Sequence, residues 1–374
     1  MKVQKNNKTI IIMAGGTGGH VYPAIAVADV LKLNGFNIVW VGNKNSFEAE
    51  VVPNAGYEIE YITISGIRGT KFSKLISIPF KITSSVLQAI KIFRKYKPVS
   101  VLGMGGYVSG PGAIACKILH IPLIIHEQNS IPGFTNRILS RFATLVLVAF
   151  PEAFSGNIKA IYTGNPIRES ISRLPEPNIR YAEHADNIKL LVLGGSLGAK
   201  YLNENIPASL SFLSEGQKID IWHQAGKGKH IETKNAYKQK NIKAKVDEFI
   251  IDMDLAYLWA DIVICRAGAM TVSELSNAGL ASILVPYPHA VDDHQTRNAE
   301  FLVNANAAIM AQQSELFVNF LTNLLSDIIV KGRAYLLTMA NNAYALAKPD
   351  ATSRVAQICM EAAGIESGVG TGNV

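Results

Sequence analysis

Three times along this 374-residue chain, a short apolar, β-like run ends in clustered glycines and a helix-like run follows. The first is Ile10 to Ala14 running into Gly15-Gly16-Thr17-Gly18-Gly19-His20. The second is Val99 to Leu102 running into Gly103-Met104-Gly105-Gly106-Tyr107. The third is Leu190 to Leu193 running into Gly194-Gly195-Ser196-Leu197-Gly198. Glycines at a strand-to-helix turn let bare backbone N–H groups approach a phosphate, and the following helix adds its positive end. The plainer alternative is three tight turns that need glycine and bind nothing, although the paired glycines exceed what a turn requires. Occurrence in both halves points to two anion-holding α/β domains facing each other, joining two phosphate-bearing substrates.

The surrounding rhythm of strand, turn and helix implies parallel sheets covered on both faces. In the first half, strands are predicted at 9–14, 37–41, 58–63, 99–103, 121–126 and 144–149, and helices over 22–34, 46–55, 80–96, 111–119 and 133–142. A turn-rich stretch from Thr163-Gly164-Asn165-Pro166 to Leu174-Pro175-Glu176-Pro177 reads as an inter-domain hinge. The pattern restarts with strands near 188–193, 219–223, 246–250, 261–265, 281–285 and 307–311, and helices over 200–214, 253–260, 271–278 and 295–305. A last helix is predicted over 351–363 with Asp350 as its N-cap, before a glycine-rich tail expected to fray.

A chain that is 48% apolar and 17% charged is globular, and its length suits two domains with ordinary cores. The net charge of +7 suits nucleic acid, anionic lipid or phosphorylated substrates without choosing among them. Three scattered cysteines, Cys116, Cys265 and Cys359, argue against a disulfide framework or a cysteine zinc site and fit a reducing, cytoplasmic setting. No apolar run approaches the roughly 18–20 residues that span a bilayer. The apolar run behind the lysine-rich start is too short for a signal peptide and reads as the first strand.

The glycine loops do not fit the commonest nucleotide signatures. Val21 stands where the third glycine of G-x-G-x-x-G belongs, and the next strand ends at Val41-Gly42-Asn43 without an acid. No P-loop sequence occurs. His20 falls at the start of the first long helix, whose positive end favours the uncharged imidazole a general base requires. Alternatively it caps the helix or packs on the loop. In Ile264-Cys265-Arg266-Ala267-Gly268-Ala269-Met270-Thr271-Val272-Ser273-Glu274, a buried strand enters a small-residue turn and a helix. Glu274, one turn in, can accept both hydroxyls of a ribose, or can simply complement the helix dipole. Asp292-Asp293-His294-Gln295 opens another helix whose polar side chains suit sugar hydroxyls; adjacent residues rarely converge on one metal ion, and no metal is expected.

No acid occurs between Glu60 and Glu127, an interval holding Arg68, Lys71, Lys74, Lys81, Lys91, Arg94, Lys95 and Lys97. Phe72, Leu75, Ile76, Ile78, Phe80 and Phe93 are interleaved. Such a basic amphipathic segment reads as a membrane-surface element, the bland alternative being a solvated helix face over core residues. Nucleic acid is not expected, because no recognised module is present and the glycine loops would go unexplained.

Taken together, these residues resemble the MurG family of bacterial glycosyltransferases. The resemblance runs from about Ile11 to Gly364. It rests on Gly15 to His20, Gly103 to Gly112, His126-Glu127-Gln128-Asn129, Gly164-Asn165-Pro166-Ile167-Arg168, Ile221-Trp222-His223-Gln224 and Arg266 to Glu274. It implies an α/β GT-B fold: two Rossmann-like doubly wound parallel-sheet domains facing a cleft, the C-terminal helix crossing back to the first. The expected domains are 1–165 for acceptor and membrane, 166–345 for UDP-GlcNAc, 346–364 as the returning helix, and 365–374 as a disordered tail.

The resemblance further implies an inverting, metal- and cofactor-independent transfer of GlcNAc from UDP-GlcNAc to lipid I, giving lipid II at the cytoplasmic face of the inner membrane. The sugar-donor contacts it implies are Thr17, Gly18, Gly19, Asn129, Arg168, Ser196, Ile250, Ala269, Met270, Thr271, Val272, Ser273, Glu274 and Gln295, with Ile250 beside the uracil. Gly16, Gly105, Gly106, Tyr107 and Ser109 would hold the acceptor pyrophosphate, and His20 would be the base. Partners would be an anionic membrane surface and other cell-wall synthesis proteins. Two positions depart from the family: Leu197 stands where glutamine is frequent, and His294 where some members have a second glutamine. The alternatives are another GT-B enzyme, such as a lipid glucosyltransferase or a nucleotide-sugar 2-epimerase, and an idle scaffold that binds nucleotide sugar and membrane.

Overall fold

A computed structural model describes residues 8–64, 78–154, 158–184, 187–195, 198–214 and 219–364. The chain divides into two compact units, Met1–Ile167 with Asp350–Val374, and Arg168–Pro349.

The first unit runs β1 (Thr9–Ala14), α1 (Gly18–Leu33), β2 (Asn37–Gly42), α2 (Phe47–Asn54), β3 (Glu58–Tyr61), α3 (Ile78–Tyr96), β4 (Ser100–Gly105), α4 (Ser109–Leu119), β5 (Leu123–Glu127), α5 (Phe134–Leu139), β6 (Leu145–Val148) and β7 (Ala160–Tyr162). All seven strands are parallel, in the order β3-β2-β1-β4-β5-β6-β7. Helices cover both faces, so β1 is buried along its whole length and reads as a continuous apolar run rather than an alternation. Ile10 and Ile12 face one core, with Val27 and Leu31 of α1. Ile11 and Met13 face the other, with Phe93 of α3 and Ala113 of α4.

The second unit runs α6 (Glu169–Ser172), α7 (Pro177–Ala182), β8 (Ile188–Leu193), α8 (Lys200–Leu210), β9 (Ile219–Gln224), α9 (His230–Gln239), β10 (Lys245–Asp247), α10 (Met253–Trp259), β11 (Ile262–Cys265), α11 (Ala269–Ala278), β12 (Ala281–Leu284), α12 (His294–Val303), β13 (Ala308–Met310) and α13 (Phe317–Tyr344). Its six parallel strands lie in the order β10-β9-β8-β11-β12-β13. Leu190, Val192, Ile264 and Ile283 form its core with Leu202 and Ile206 of α8 and Leu321 and Leu325 of α13.

The chain then returns to the first unit as α14 (Ala351–Ala362), which packs on α1. Val355, Ala356 and Cys359 join the core of Ile10 and Leu31. Ser100 Oγ donates to the Cys359 carbonyl at 3.0 Å.

Several expectations need correction. The first helix starts at Gly18, not 22, so His20 sits inside its first turn; Pro23, which resembles a first-turn proline, lies further in. The predicted strand over 246–250 ends at Asp247, leaving Ile250 in the following loop. Asp350 occupies the N-cap position of α14 but makes no side-chain cap bond. The turn-rich stretch contains α6 and opens α7. Strand β7 and helices α9 and α13 were not foreseen. The tail 365–374 lies outside the described residues.

Candidate functional site

In each sheet the strand order reverses beside the first strand, between β1 and β4 and between β8 and β11. Open α/β sheets bind ligands at the carboxyl ends of the strands flanking such a reversal. The three glycine loops follow β1, β4 and β8, and the turn into α11 follows β11, so all four stand at these points.

In the first unit the glycines of the second loop have a packing reason. Gly105 and Gly106 both hold positive φ, 104° and 83°. A Cβ on Gly106 would lie 2.4 Å from the Gly15 carbonyl oxygen, and one on Gly105 would lie 2.9 Å from Cε1 of His20. The two loops therefore nest, with the His20 ring against bare backbone. Ser109 is buried and its hydroxyl donates to the Gly105 carbonyl at 3.0 Å, bracing the loop. The Gly16 N–H is likewise committed, donating to Glu48 Oε2 at 3.0 Å, while the Asn43 N–H reaches Oε1 at 3.1 Å. Gly16, Thr17, Gly19 and Tyr107 are exposed, and Gly18 is half-buried.

His20 Nδ1 lies 2.9 Å from Gln128 Oε1. Behind it, Gln128 and His126 are buried, and burial lowers the His126 pKa to about 4. The neighbouring Glu127 is a scaffold: its carboxylate accepts from the Asn129 N–H, the Gly133 N–H and Asn136 Nδ2, at 2.9–3.0 Å. Asn129 is thereby held half-buried beside the His20 network.

In the second unit, Glu274 on α11 accepts a 2.9 Å hydrogen bond from Tyr257 Oη of α10. Burial raises the Glu274 pKa, opposed by the positive charge of Arg168 and by the Tyr257 bond. The structure thus brings together Arg168 and Glu274, two candidates more than a hundred residues apart in sequence. Burial, followed by the Glu274 charge, keeps Tyr257 protonated. Ala269, Met270 and Thr271 form the first turn of α11 and Ser273 is buried just beyond it. The Val272 side chain is buried and its N–H donates to the Gly268 carbonyl at 3.0 Å. Ile250 is buried, with its N–H given to Gln224 Oε1 at 3.0 Å. Gln295 Oε1 accepts from the Tyr287 N–H at 2.9 Å, orienting that side chain. The Arg266 guanidinium donates to the Val285 and Pro286 carbonyls and to Gln313 Oε1. Ser196 and Leu197 lie outside the described residues. Among the described residues, no cluster of three or more His, Cys, Asp or Glu is placed to hold a metal.

Of the basic amphipathic segment, Arg68, Lys71, Phe72, Lys74, Leu75 and Ile76 lie outside the described residues. On α3, Phe80 is 78% exposed and Leu87 61%. Ile114 and Ile118 are exposed on the adjoining α4. Phe93 is instead a core residue, and Lys95 is paired with Glu60 at 2.7 Å. Among the described residues, no helix is long and apolar enough to cross a membrane.

Residues 10–148 match the Glycosyltransferase family 28 N-terminal domain, and residues 189–355 match its C-terminal domain. The UDP-N-acetylglucosamine–N-acetylmuramyl-(pentapeptide) pyrophosphoryl-undecaprenol N-acetylglucosamine transferase of Shewanella sp. (strain ANA-3) is 49% identical over 355 residues, covering 94% of this chain and 97% of its own. The crystal structure of Acinetobacter baumannii MurG superposes with a TM-score of 0.84 at 38% identity, over 95% of this chain and 99% of that one. The chain belongs to the MurG family. Its fold is accordingly GT-B, with α14 returning to α1.

The MurG-like segments identified in the sequence lie at or beyond the carboxyl end of a strand in their own sheet, except Ile221 to Gln224, which makes up the last four residues of β9. Sequence reasoning missed Glu48 and Tyr257. Glu48 lies 32 residues beyond the glycine it braces. Tyr257 looks like any core aromatic, and only its hydroxyl contact reveals its bearing on Glu274.

Proposed function

We propose that this chain transfers GlcNAc from UDP-GlcNAc to the C4 hydroxyl of MurNAc in lipid I, forming lipid II by a single inverting displacement. The observation that carries the reading is the full-length MurG match, with the Gly15–His20, Gly103–Gly112 and Arg266–Glu274 motifs at the switch points of the two sheets. The second unit is the sugar-donor unit. Glu274, held by Tyr257, accepts the ribose hydroxyls. The first turn of α11, from Ala269 to Thr271, and Arg168 meet the charge that develops on UDP as it leaves. One such stabilising group contributes roughly 2.7–4 kcal/mol in the transition state. Ile250 packs beside the uracil; with its N–H committed, its carbonyl is the group that accepts from the base. Gln295 and Ser273 face the sugar.

The first unit takes the acceptor. Gly105, Gly106 and Tyr107 flank its pyrophosphate, while Thr17, Gly18, Gly19 and Asn129 complete the sugar-donor contacts. His20 Nε2 removes the proton of the C4 hydroxyl as the anomeric centre becomes oxocarbenium-like. Exposed Phe80, Leu87, Ile114 and Ile118, with Lys81, Lys91, Arg94 and Lys117, rest on the anionic cytoplasmic face of the inner membrane. There each cation contributes roughly 1 kcal/mol. His20→Ala tests the chemistry: a fall in kcat of about 10²–10⁴-fold is expected, and turnover within a few-fold of wild type sinks the base assignment.

A further inference from the structure

We propose that Gln128, held in place by the buried His126, fixes the tautomer of His20 so that Nε2 is its proton-accepting atom; this rests on reading His20 as the base. The direction of each hydrogen bond is set from the far end. The Gly164 carbonyl can only accept, so His126 Nε2, 3.0 Å away, carries a proton. His126 is fully buried and uncharged at neutral pH, so its Nδ1 is bare. Gln128 Nε2 lies 3.3 Å from that Nδ1 and 3.3 Å from the His126 carbonyl. Both are acceptors, so the amide NH2 of Gln128 must face His126. Its Oε1 then faces His20 Nδ1 at 2.9 Å. An amide oxygen only accepts, so Nδ1 is the protonated nitrogen of His20, and in the neutral ring Nε2 keeps the lone pair.

Each link permits one direction, so the Gly164 carbonyl determines where the lone pair of His20 stands. Gln128 is 1% exposed, so water does not compete for its amide. Gly105 backs the ring and holds it against this partner. Gln128 and His126 are thus positioning residues acting through His20.

The test is a ¹⁵N-histidine NMR spectrum of the full-length protein at neutral pH, with His20 identified by its loss in His20→Ala. The expected spectrum has His20 protonated at Nδ1 and bare at Nε2. Gln128→Met, similar in size but without an acceptor, should redistribute the proton. It should also lower kcat by at least about tenfold, within the range of a general base, without changing KM for UDP-GlcNAc. A wild-type His20 protonated at Nε2, or a tautomer unmoved in Gln128→Met, overturns the proposal. Retained turnover in His20→Ala would instead remove the base role, leaving the spectrum to decide the relay by itself.

Discussion

Gly105 has no side-chain chemistry, yet it governs the residue proposed to do the chemistry. Its φ of 104° disfavours any L side chain, and a methyl there would push into the His20 ring. Gly105→Ala should therefore lower kcat by about tenfold or more by displacing the imidazole, which steady-state kinetics on lipid I analogues would show. Tyr257 holds Glu274, the residue proposed to bind the sugar donor. Tyr257→Phe removes one hydrogen bond to Glu274, worth about 1 kcal/mol, so Kd for UDP-GlcNAc should rise about fivefold. The raised Glu274 pKa gives a signed pH effect. If Glu274 holds the ribose as proposed, a carboxylate that takes up its proton at higher pH loses that contact sooner on acidification. Calorimetric titration should show affinity for UDP-GlcNAc falling above the usual carboxylate range, a fall absent in Glu274→Gln.

Elements legible in the sequence were those whose burial leaves a simple trace. β1, β4, β8 and β11 are central strands covered on both faces, and their apolar runs and glycine exits identified them. Helix α9 buries only Thr233 and Tyr237, so no apolar stripe announces it. Helix α13 has the stripe, Phe317, Leu321, Leu325 and Ile328, but Gly332 at φ 68° breaks its phase before Leu336. Strand β7 is three residues at a sheet edge and too short to register. Helix α11 is held from a direction no local motif reveals. Arg180 of α7, buried, donates to the Ala278 carbonyl at 2.7 Å and to that of Gly279, capping the carboxyl end of the helix that carries Glu274. Arg180→Met should destabilise the protein by roughly 2–3 kcal/mol in denaturant titrations. In β9, His223 is a structural histidine. Tyr237 Oη donates to its Nδ1, and its Nε2–H reaches Asn203.

At the scale of the molecule, the polar interior sets a pH limit. Burial lowers the pKa of His223 to about 3 and that of His126 to about 4, against an ordinary 6.5. Between about pH 6.5 and 4 the unfolded chain therefore binds protons that the folded one refuses, so stability falls as pH falls through that window. Equilibrium unfolding at stepped pH should show this slope, reduced in His126→Asn. Two parallel α/β units were legible because glycine-terminated strands recur in both halves of the chain, and the MurG resemblance implied the GT-B class. Of the proposed site, short motifs in the sequence carried His20 and Glu274. Gln128 stood inside a recognised motif, but its role depends on a network closed by Gly164, 36 residues away along the chain. The central claim is acceptor-dependent transfer, and it is tested most directly by UDP release from UDP-GlcNAc with and without a short-chain lipid I analogue. The account predicts release only with the acceptor, at a rate unaffected by EDTA. UDP release without acceptor, or none with it from folded protein that binds UDP, would contradict it.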